Sequence, residues 1–220
     1  MHSITLAAGS YSLAAGVQVR STVQINGNGS IITLIQNDAI FISSSGRLTL
    51  NEVTLNNPTG GCIVNSGTVT LNSSTLRSCI NGTLAFSFGG ILNFFGGTVT
   101  LNSSWITGNS SAGAGGGILN QGTVTLNSSI ISNNTSQDGG GIFNDGGGTV
   151  TLNSSTISGN RVTSQGGGIR NFGEVTLNKS SIYGNSAPVA GGGGGIYNVG
   201  ILTLDKFSSV TLNTVENIAP

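Results

Sequence analysis

The sequence is poor in charge, in proline and in the side chains that most often carry chemistry. Its 220 residues include seven acidic and seven basic side chains, three prolines and one histidine. No cluster of Lys or Arg offers a phosphate-binding patch, so nucleic acid is not an expected partner. The histidine is His2, and no spacing of Cys or His predicts a metal site. We therefore expect neither a metal nor a cofactor.

Long apolar runs are also missing. No stretch reaches the length that a transmembrane helix needs, so we expect no membrane span in this chain. The first residues, MHSITLAAGSYSL, lack the charged start and apolar centre of a signal peptide. We interpret them as the first strands of the fold.

Glycine, by contrast, is abundant at 37 residues, and it recurs with a short apolar motif. This motif is VTLN or a close variant, and it begins at Val69, Val99, Val124, Val150, Val175 and Leu202. The successive spacings are 30, 25, 26, 25 and 27 residues. A period near 25 residues predicts a solenoid, in which each repeat forms one coil. We predict an all-β, right-handed parallel β-helix of about eight coils with three strands per coil.

One repeat, Gly139–Asn160, shows the expected coil. Because side chains alternate faces along a strand, Ile142, Val150, Leu152 and Ile157 point inward. Alignment of the repeats then predicts four apolar columns and two columns of stacked asparagines. The apolar columns are Val69, Val99, Val124, Val150 and Val175; Leu71, Leu101, Leu126, Leu152 and Leu177; Leu76, Ile106, Ile131, Ile157 and Ile182; and Ile63, Ile91, Ile118, Ile142, Ile169 and Ile196. The asparagine columns are Asn72, Asn102, Asn127, Asn153 and Asn178, and Asn65, Asn93, Asn120, Asn144, Asn171 and Asn198.

Segments such as GGGILNQGTVTLNSSIISNN and GGGIFNDGGGTVTLNSSTISGN resemble bacterial right-handed β-helix repeats. Proteins of this kind include cell-surface adhesins, polymorphic outer-membrane proteins and the pectin-lyase-like superfamily. The resemblance covers about residues 20–205. It implies the β-helix fold and an extracellular or cell-surface location, but the fold serves several functions.

We expect one solenoid domain over residues 1–220, with less regular coils over 1–58, regular coils over 59–205 and a strand or tail over 206–220. Residues 80–90 carry about five extra residues, including Phe86 and Phe88, and are predicted to form a loop at a corner. Neither end of the sequence contains a recognisable cap, so both ends are expected to present strand edges.

Cys62 and Cys79 are the only cysteines. Cys62 stands where other repeats have the third glycine of GGG, and Cys79 where others have the asparagine that ends a coil. Both positions border the same corner, in layers expected to be one apart. Stacked positions lie close enough for a disulfide, with two buried reduced cysteines as the alternative.

The pectin-lyase-like resemblance raises the possibility of a carbohydrate-active enzyme, whose site would need clustered acidic residues. The seven acids instead fall in different columns and layers, which disfavours a paired-carboxylate site. The closest expected grouping is Asp145, Arg170 and Glu174, interpreted as a surface ion pair. We therefore predict a protein that is not an enzyme and has no catalytic residues.

The central strand presents a Thr-x-Thr array. It resembles the flat arrays of β-helical antifreeze proteins, which implies an ice-binding face. The alternative is that threonine simply suits an exposed strand and was duplicated with the repeat. The array comprises Thr68, Thr70, Thr98, Thr100, Thr123, Thr125, Thr149, Thr151, Thr176 and Thr203.

A second outward column, along the GGGI strand, is largely apolar and is a candidate association stripe. An insertion that folds over it would make it structural instead. The predicted stripe comprises Leu92, Phe94, Phe95, Leu119, Phe143, Phe172 and Tyr197. Our leading hypothesis is a structural or adhesive solenoid that self-associates into oligomers or fibres. The expected partner is thus another copy or a surface such as ice.

Overall fold

The structure is a computed structural model that describes residues 1–14, 16–35, 38–82, 87–188 and 190–220. These residues form parallel strands wound into a solenoid, as predicted. The three successive strands of each regular coil lie on different faces of a rod. One face is a nine-stranded parallel sheet, consistent with about eight turns. No helix of membrane-spanning length and hydropathy occurs among these residues.

The strands in the first coils include two long ones, β4 and β6, that run continuously through a corner. The strands of this region are β1 (His2–Thr5), β2 (Ser10–Leu13), β3 (Val17–Val19), β4 (Thr22–Leu34), β5 (Ile40–Ile42) and β6 (Arg47–Asn57).

The regular coils repeat three short strands, with a two-residue strand added at the last corner of some coils. They contain β7 (Ile63–Asn65), β8 (Thr68–Asn72), β9 (Thr75–Asn81), β10 (Ile91–Asn93), β11 (Thr98–Asn102), β12 (Trp105–Thr107), β13 (Ser110–Ser111), β14 (Ile118–Asn120), β15 (Thr123–Asn127), β16 (Ile130–Ser132), β17 (Thr135–Ser136), β18 (Ile142–Asn144), β19 (Thr149–Asn153), β20 (Thr156–Ser158), β21 (Arg161–Val162), β22 (Ile169–Asn171), β23 (Glu174–Asn178) and β24 (Ser181–Tyr183). The last coil contains β25 (Ile196–Asn198), β26 (Ile201–Leu204), β27 (Ser209–Thr211) and β28 (Ile218–Ala219).

The predicted columns are confirmed by strand register. Val99 pairs with Val69 below it and with Val124 above it, and the leucine column follows the same pairing. The side chains of these columns are buried along the regular coils and form one continuous core. In the earlier coils, Leu48 and Leu50 extend two of the columns. Each coil therefore buries its apolar side chains only against the coils beside it.

Only part of the predicted corner loop over residues 80–90 lies among the residues that the structure describes. Strand β9 ends at Asn81 and β10 begins at Ile91. Phe86 lies outside the described residues. Phe88 is described and is buried against the surface of the GGGI sheet.

Buried asparagines form hydrogen-bonded ladders along the rod. In the Asn65 column, each Nδ2 donates to Oδ1 of the asparagine in the next coil, at 2.7–2.8 Å. A third ladder, which we did not predict, has distances of 2.9–3.0 Å between Nδ2 and Oδ1. It joins Asn109, Asn134, Asn160, Asn185 and Asn213. The half-buried Asn72 ladder runs the other way, with each Nδ2 donating toward the preceding coil. Stacked amides thus satisfy polar groups that the corners bury.

Cys62 and Cys79 form a disulfide with a Cα–Cα distance of 5.5 Å. The two residues begin and end a single coil, whereas we expected neighbouring layers. The equivalent pairs elsewhere explain the geometry. A Cβ placed on Gly141 would lie 3.1 Å from Nδ2 of Asn160 in its own coil. The bond therefore occupies the space that a glycine and an asparagine share in the other coils.

We predict that Asn120→Ala lowers the free energy of unfolding by about 3 kcal/mol, because it breaks the ladder between Asn93 and Asn144 and leaves the buried Oδ1 of Asn144 without the amide that donates to it. Asn127→Ala, in the half-buried ladder, is the matched control and is expected to cost at most about 1 kcal/mol. Urea unfolding followed by circular dichroism measures both. Equal losses would contradict a special role for the buried ladder.

We further predict that replacing the disulfide by the pair found in other coils, Cys62→Gly with Cys79→Asn, preserves the strand content. The free energy of unfolding should fall by about 3 kcal/mol, since the unfolded chain loses a cross-link. Intact mass before and after alkylation checks the bond itself. Two alkylated thiols in protein prepared without reductant would contradict it.

Candidate interaction surfaces

The central strands place the predicted threonines in a regular two-dimensional array. Thr98 and Thr100 pair in register with Thr68 and Thr70 on one side, and with Thr123 and Thr125 on the other. Neighbouring coils are about 4.8 Å apart and alternate residues about 7 Å apart, so hydroxyl and methyl groups repeat at fixed intervals. We call this side of the rod the threonine face.

The two threonine columns differ in length. The column through Thr100 continues past Thr151 to Thr176 and Thr203. The column through Thr98 ends at Thr149, where Glu174 and then Ile201 follow. A third column on this face is the half-buried Asn72 ladder. The face is thus neutral across four consecutive coils, from Thr68 to Asn153.

The predicted association stripe is brought together along the outer surface of the nine-stranded sheet, but only part of it is exposed. Leu92, expected on the exposed stripe, is buried with 6% exposure. Phe88 and Ala39 pack against Leu92, and these three residues form a small second core. Val64, Phe94 and Leu119 are partly buried against this core. The ring of Phe88 packs directly on Gly61, where a side chain would leave it no room.

Arg170 covers the other half of the stripe. Its guanidinium lies 5.5 Å from the ring centre of Phe143, 4.9 Å from that of Phe172 and 5.6 Å from that of Tyr197. Such contacts are attractive because an aromatic face carries negative charge density. The three rings are consequently half-buried by a neighbouring cation.

The predicted ion pair of Arg170 with Asp145 and Glu174 is wrong, because Arg170 has a different partner. Arg170 instead contacts Asp138, with 2.8 Å between Nη1 and Oδ2. Asp138 lies on the corner just before β18, whose second residue is Phe143, and Arg170 contacts both Asp138 and the Phe143 ring. Asp145 accepts hydrogen bonds from Gln121 and Gly146. Sequence spacing alone did not reveal which corner turns toward Arg170.

Phe95 and Trp105 are among the large side chains that remain well exposed. Phe95, a member of the predicted stripe, is 67% exposed. Its ring lies over Gly147, and a Cβ added to this glycine would be 2.8 Å from the ring. Trp105 is 43% exposed on the third strand, beside Thr75 and Ile130. Phe41, which is not part of the predicted stripe, extends it below Val64.

The ends of the solenoid differ from its middle. A cavity of about 340 Å³ lies at the N-terminal end, and its walls are almost entirely apolar. Ile4, which lines the cavity, is 46% exposed.

At the other end Asp205 replaces the asparagine that would continue the Asn72 ladder. The Ser208 hydroxyl, 2.6 Å from Oδ1, and the backbone amides of Lys179 and Phe207 hold the pKa of Asp205 below its usual value.

Within the described ranges, no group of three or more His, Cys, Asp or Glu side chains could bind a metal ion. His2 is exposed at the edge of the first coil. The arrangement presents surfaces, namely the threonine face, the partly covered stripe and the two ends.

Comparison with known proteins finds one family. The repeat of the Chlamydia polymorphic membrane proteins matches residues 179–199. This segment covers the end of one regular coil and the beginning of the next, including the GGGI strand. No curated protein and no solved structure matches the chain.

Proposed function

We propose that this chain is a non-enzymatic structural or adhesive module of a cell surface that associates with other copies of itself. The observation that carries the proposal is the pairing at the two ends of the rod. Among the described strands, β1 and β2 pair only with β4, and β26 and β27 pair only with β23 and β24. The outer edge of each of these strands has no strand partner among the described residues, and an edge of this kind can accept a further parallel strand.

Two observations support a location outside the cytosol. The matched repeat is named for the Chlamydia polymorphic membrane proteins, and its likeness to residues 179–199 is in keeping with display on a surface. The buried Cys62–Cys79 disulfide fits an oxidising environment, because cytosolic thiols are normally kept reduced. A neutral chain also has little electrostatic repulsion to oppose contact between copies.

We predict that the protein forms concentration-dependent oligomers. Two substitutions of exposed residues distinguish end-to-end association from lateral association. Ile4→Lys places a charge at the apolar end and should weaken end-to-end contact. Phe95→Lys places one on the stripe and should weaken lateral contact. Sedimentation velocity and electron microscopy measure both, and Trp105→Lys, on a different face, is the control. A monomer at every concentration tested would defeat the proposal.

The threonine face supports ice binding as a second candidate function. The supporting observation is the register of Thr68, Thr98, Thr123 and Thr149 over four coils, with Thr70, Thr100, Thr125 and Thr151 in parallel. An array of this kind presents hydroxyl and methyl groups to water at regular intervals.

If the face binds ice, thermal hysteresis should be measurable and should fall when Thr100 and Thr125 are both replaced by Tyr. The rings would stand above the centre of the array without touching the core. Tyr at Thr75 and Thr156, on the third strand, is the matched control. Wild-type protein that shows neither hysteresis nor inhibition of ice recrystallisation at high concentration would remove this candidate.

A further inference from the structure

The threonine face has a charge at each of its four corners. Its uncharged centre is a block of four TVTLNS segments, which we call the neutral block: Thr68–Ser73, Thr98–Ser103, Thr123–Ser128 and Thr149–Ser154. The coil below reads RLTLNE, from Arg47 to Glu52, and the coil above reads EVTLNK, from Glu174 to Lys179. Positive and negative charge therefore alternate around the block.

Strand register fixes these four positions. Arg47 pairs with Thr68 at one border, and Glu174 pairs with Thr149 at the other. Glu52 and Lys179 follow the paired asparagines at the far end of the strand. Both have the left-handed backbone, with φ of 54° and 51°, that Ser73, Ser103, Ser128 and Ser154 also adopt. All four charged side chains are exposed.

The charges are too far apart to neutralise one another within one chain. Five steps between coils separate Arg47 from Glu174 by about 24 Å, and five steps along the strand separate Arg47 from Glu52 by about 17 Å. In the described part of the chain, the one ion pair joins Arg170 to Asp138 on another face. Arg47 donates a 3.2 Å hydrogen bond to the Thr68 hydroxyl, so the arginine side chain lies along the border of the neutral block.

This pattern is complementary to itself. When two copies meet face to face about a two-fold axis parallel to the strands, Arg47 lies over the partner's Glu174, and Glu52 over the partner's Lys179. When the axis is parallel to the rod, Arg47 lies over the partner's Glu52, and Glu174 over the partner's Lys179. Opposite charges meet at all four corners in either arrangement, while the neutral blocks of the two copies face each other at the centre.

We propose that the threonine face is a homodimer interface, with the neutral block at its centre and the four charges as its corner contacts. The proposal rests on the proposed self-association of the chain and assigns it a surface other than the ends or the stripe. A two-fold dimer uses the same patch on both copies, which is the most common symmetry of protein oligomers.

The size of the patch sets the expected strength. The corners enclose about 400 Å² per copy, or about 800 Å² for the pair, which is below the usual range for a stable complex. The dimer is accordingly weak, and its corner contacts are exposed to solvent. Salt screens such pairs over a Debye length of about 8–10 Å, so the dissociation constant should rise with ionic strength.

Charge reversal tests the proposal and identifies the axis. Arg47→Glu should weaken dimerisation on the order of 10-fold at low salt, because two symmetric contacts become repulsive. Arg47→Glu with Glu174→Arg restores the dimer only if the axis follows the strands. Arg47→Glu with Glu52→Lys restores it only if the axis follows the rod, and Lys179 shows that this backbone position accepts lysine.

Sedimentation equilibrium of the full chain at low and high salt measures each variant, with Arg77→Glu, on the third strand, as the matched control. Rescue by one double variant and not by the other supports the proposal. It is overturned if the wild type is monomeric at low salt, if Arg47→Glu dimerises like the wild type, or if neither double variant restores the dimer. Oligomers that respond to Ile4→Lys or Phe95→Lys but not to Arg47→Glu would uphold self-association and reject this interface.

Discussion

Every part of this structure depends on the burial of each coil by its two neighbours. A single coil exposes both edges of its strands and its layer of inward side chains, and neither can be covered from within the coil. The next coil supplies both, since the strands pair in register and the apolar columns then close. The same contact satisfies the buried amides, because the partner of each corner asparagine is the asparagine one coil away. Stability is therefore approximately a sum of interface terms between nearest neighbours.

This dependence explains what could be predicted from the sequence. A repeat near 25 residues determines which side chains stack, so Val99 above Val69 and Asn120 above Asn93 could be placed without coordinates. The Asn109 ladder was harder to recognise, because Cys79 and its disulfide interrupt that column at the beginning of the regular coils. Its members are nonetheless spaced like the others.

The outer surface was predicted less well, for a physical reason. Outward side chains are not constrained by stacking, and the corner segments that cover them vary in length. Leu92 has the same register as Leu119, but Phe88 belongs to a long corner and buries it. Arg170 pairs with Asp138 and not with Asp145, because the corner holding Asp138 turns toward the sheet. Even the alternating charges around the threonine face are visible only after the register assigns Arg47 and Glu174 to opposite borders.

The disulfide has a mechanical consequence. A solenoid whose ends are pulled apart unwinds one coil after another, since only neighbouring coils hold each coil in place. Cys62 and Cys79, 17 positions apart in the sequence, join the two ends of one coil, so tension passes through the bond and not through the segment between them. That segment cannot be drawn out, and the extended chain would be shorter by about 50 Å than its length without the bond. The cross-linked coil would thus remain a closed ring after the coils on either side have been unwound.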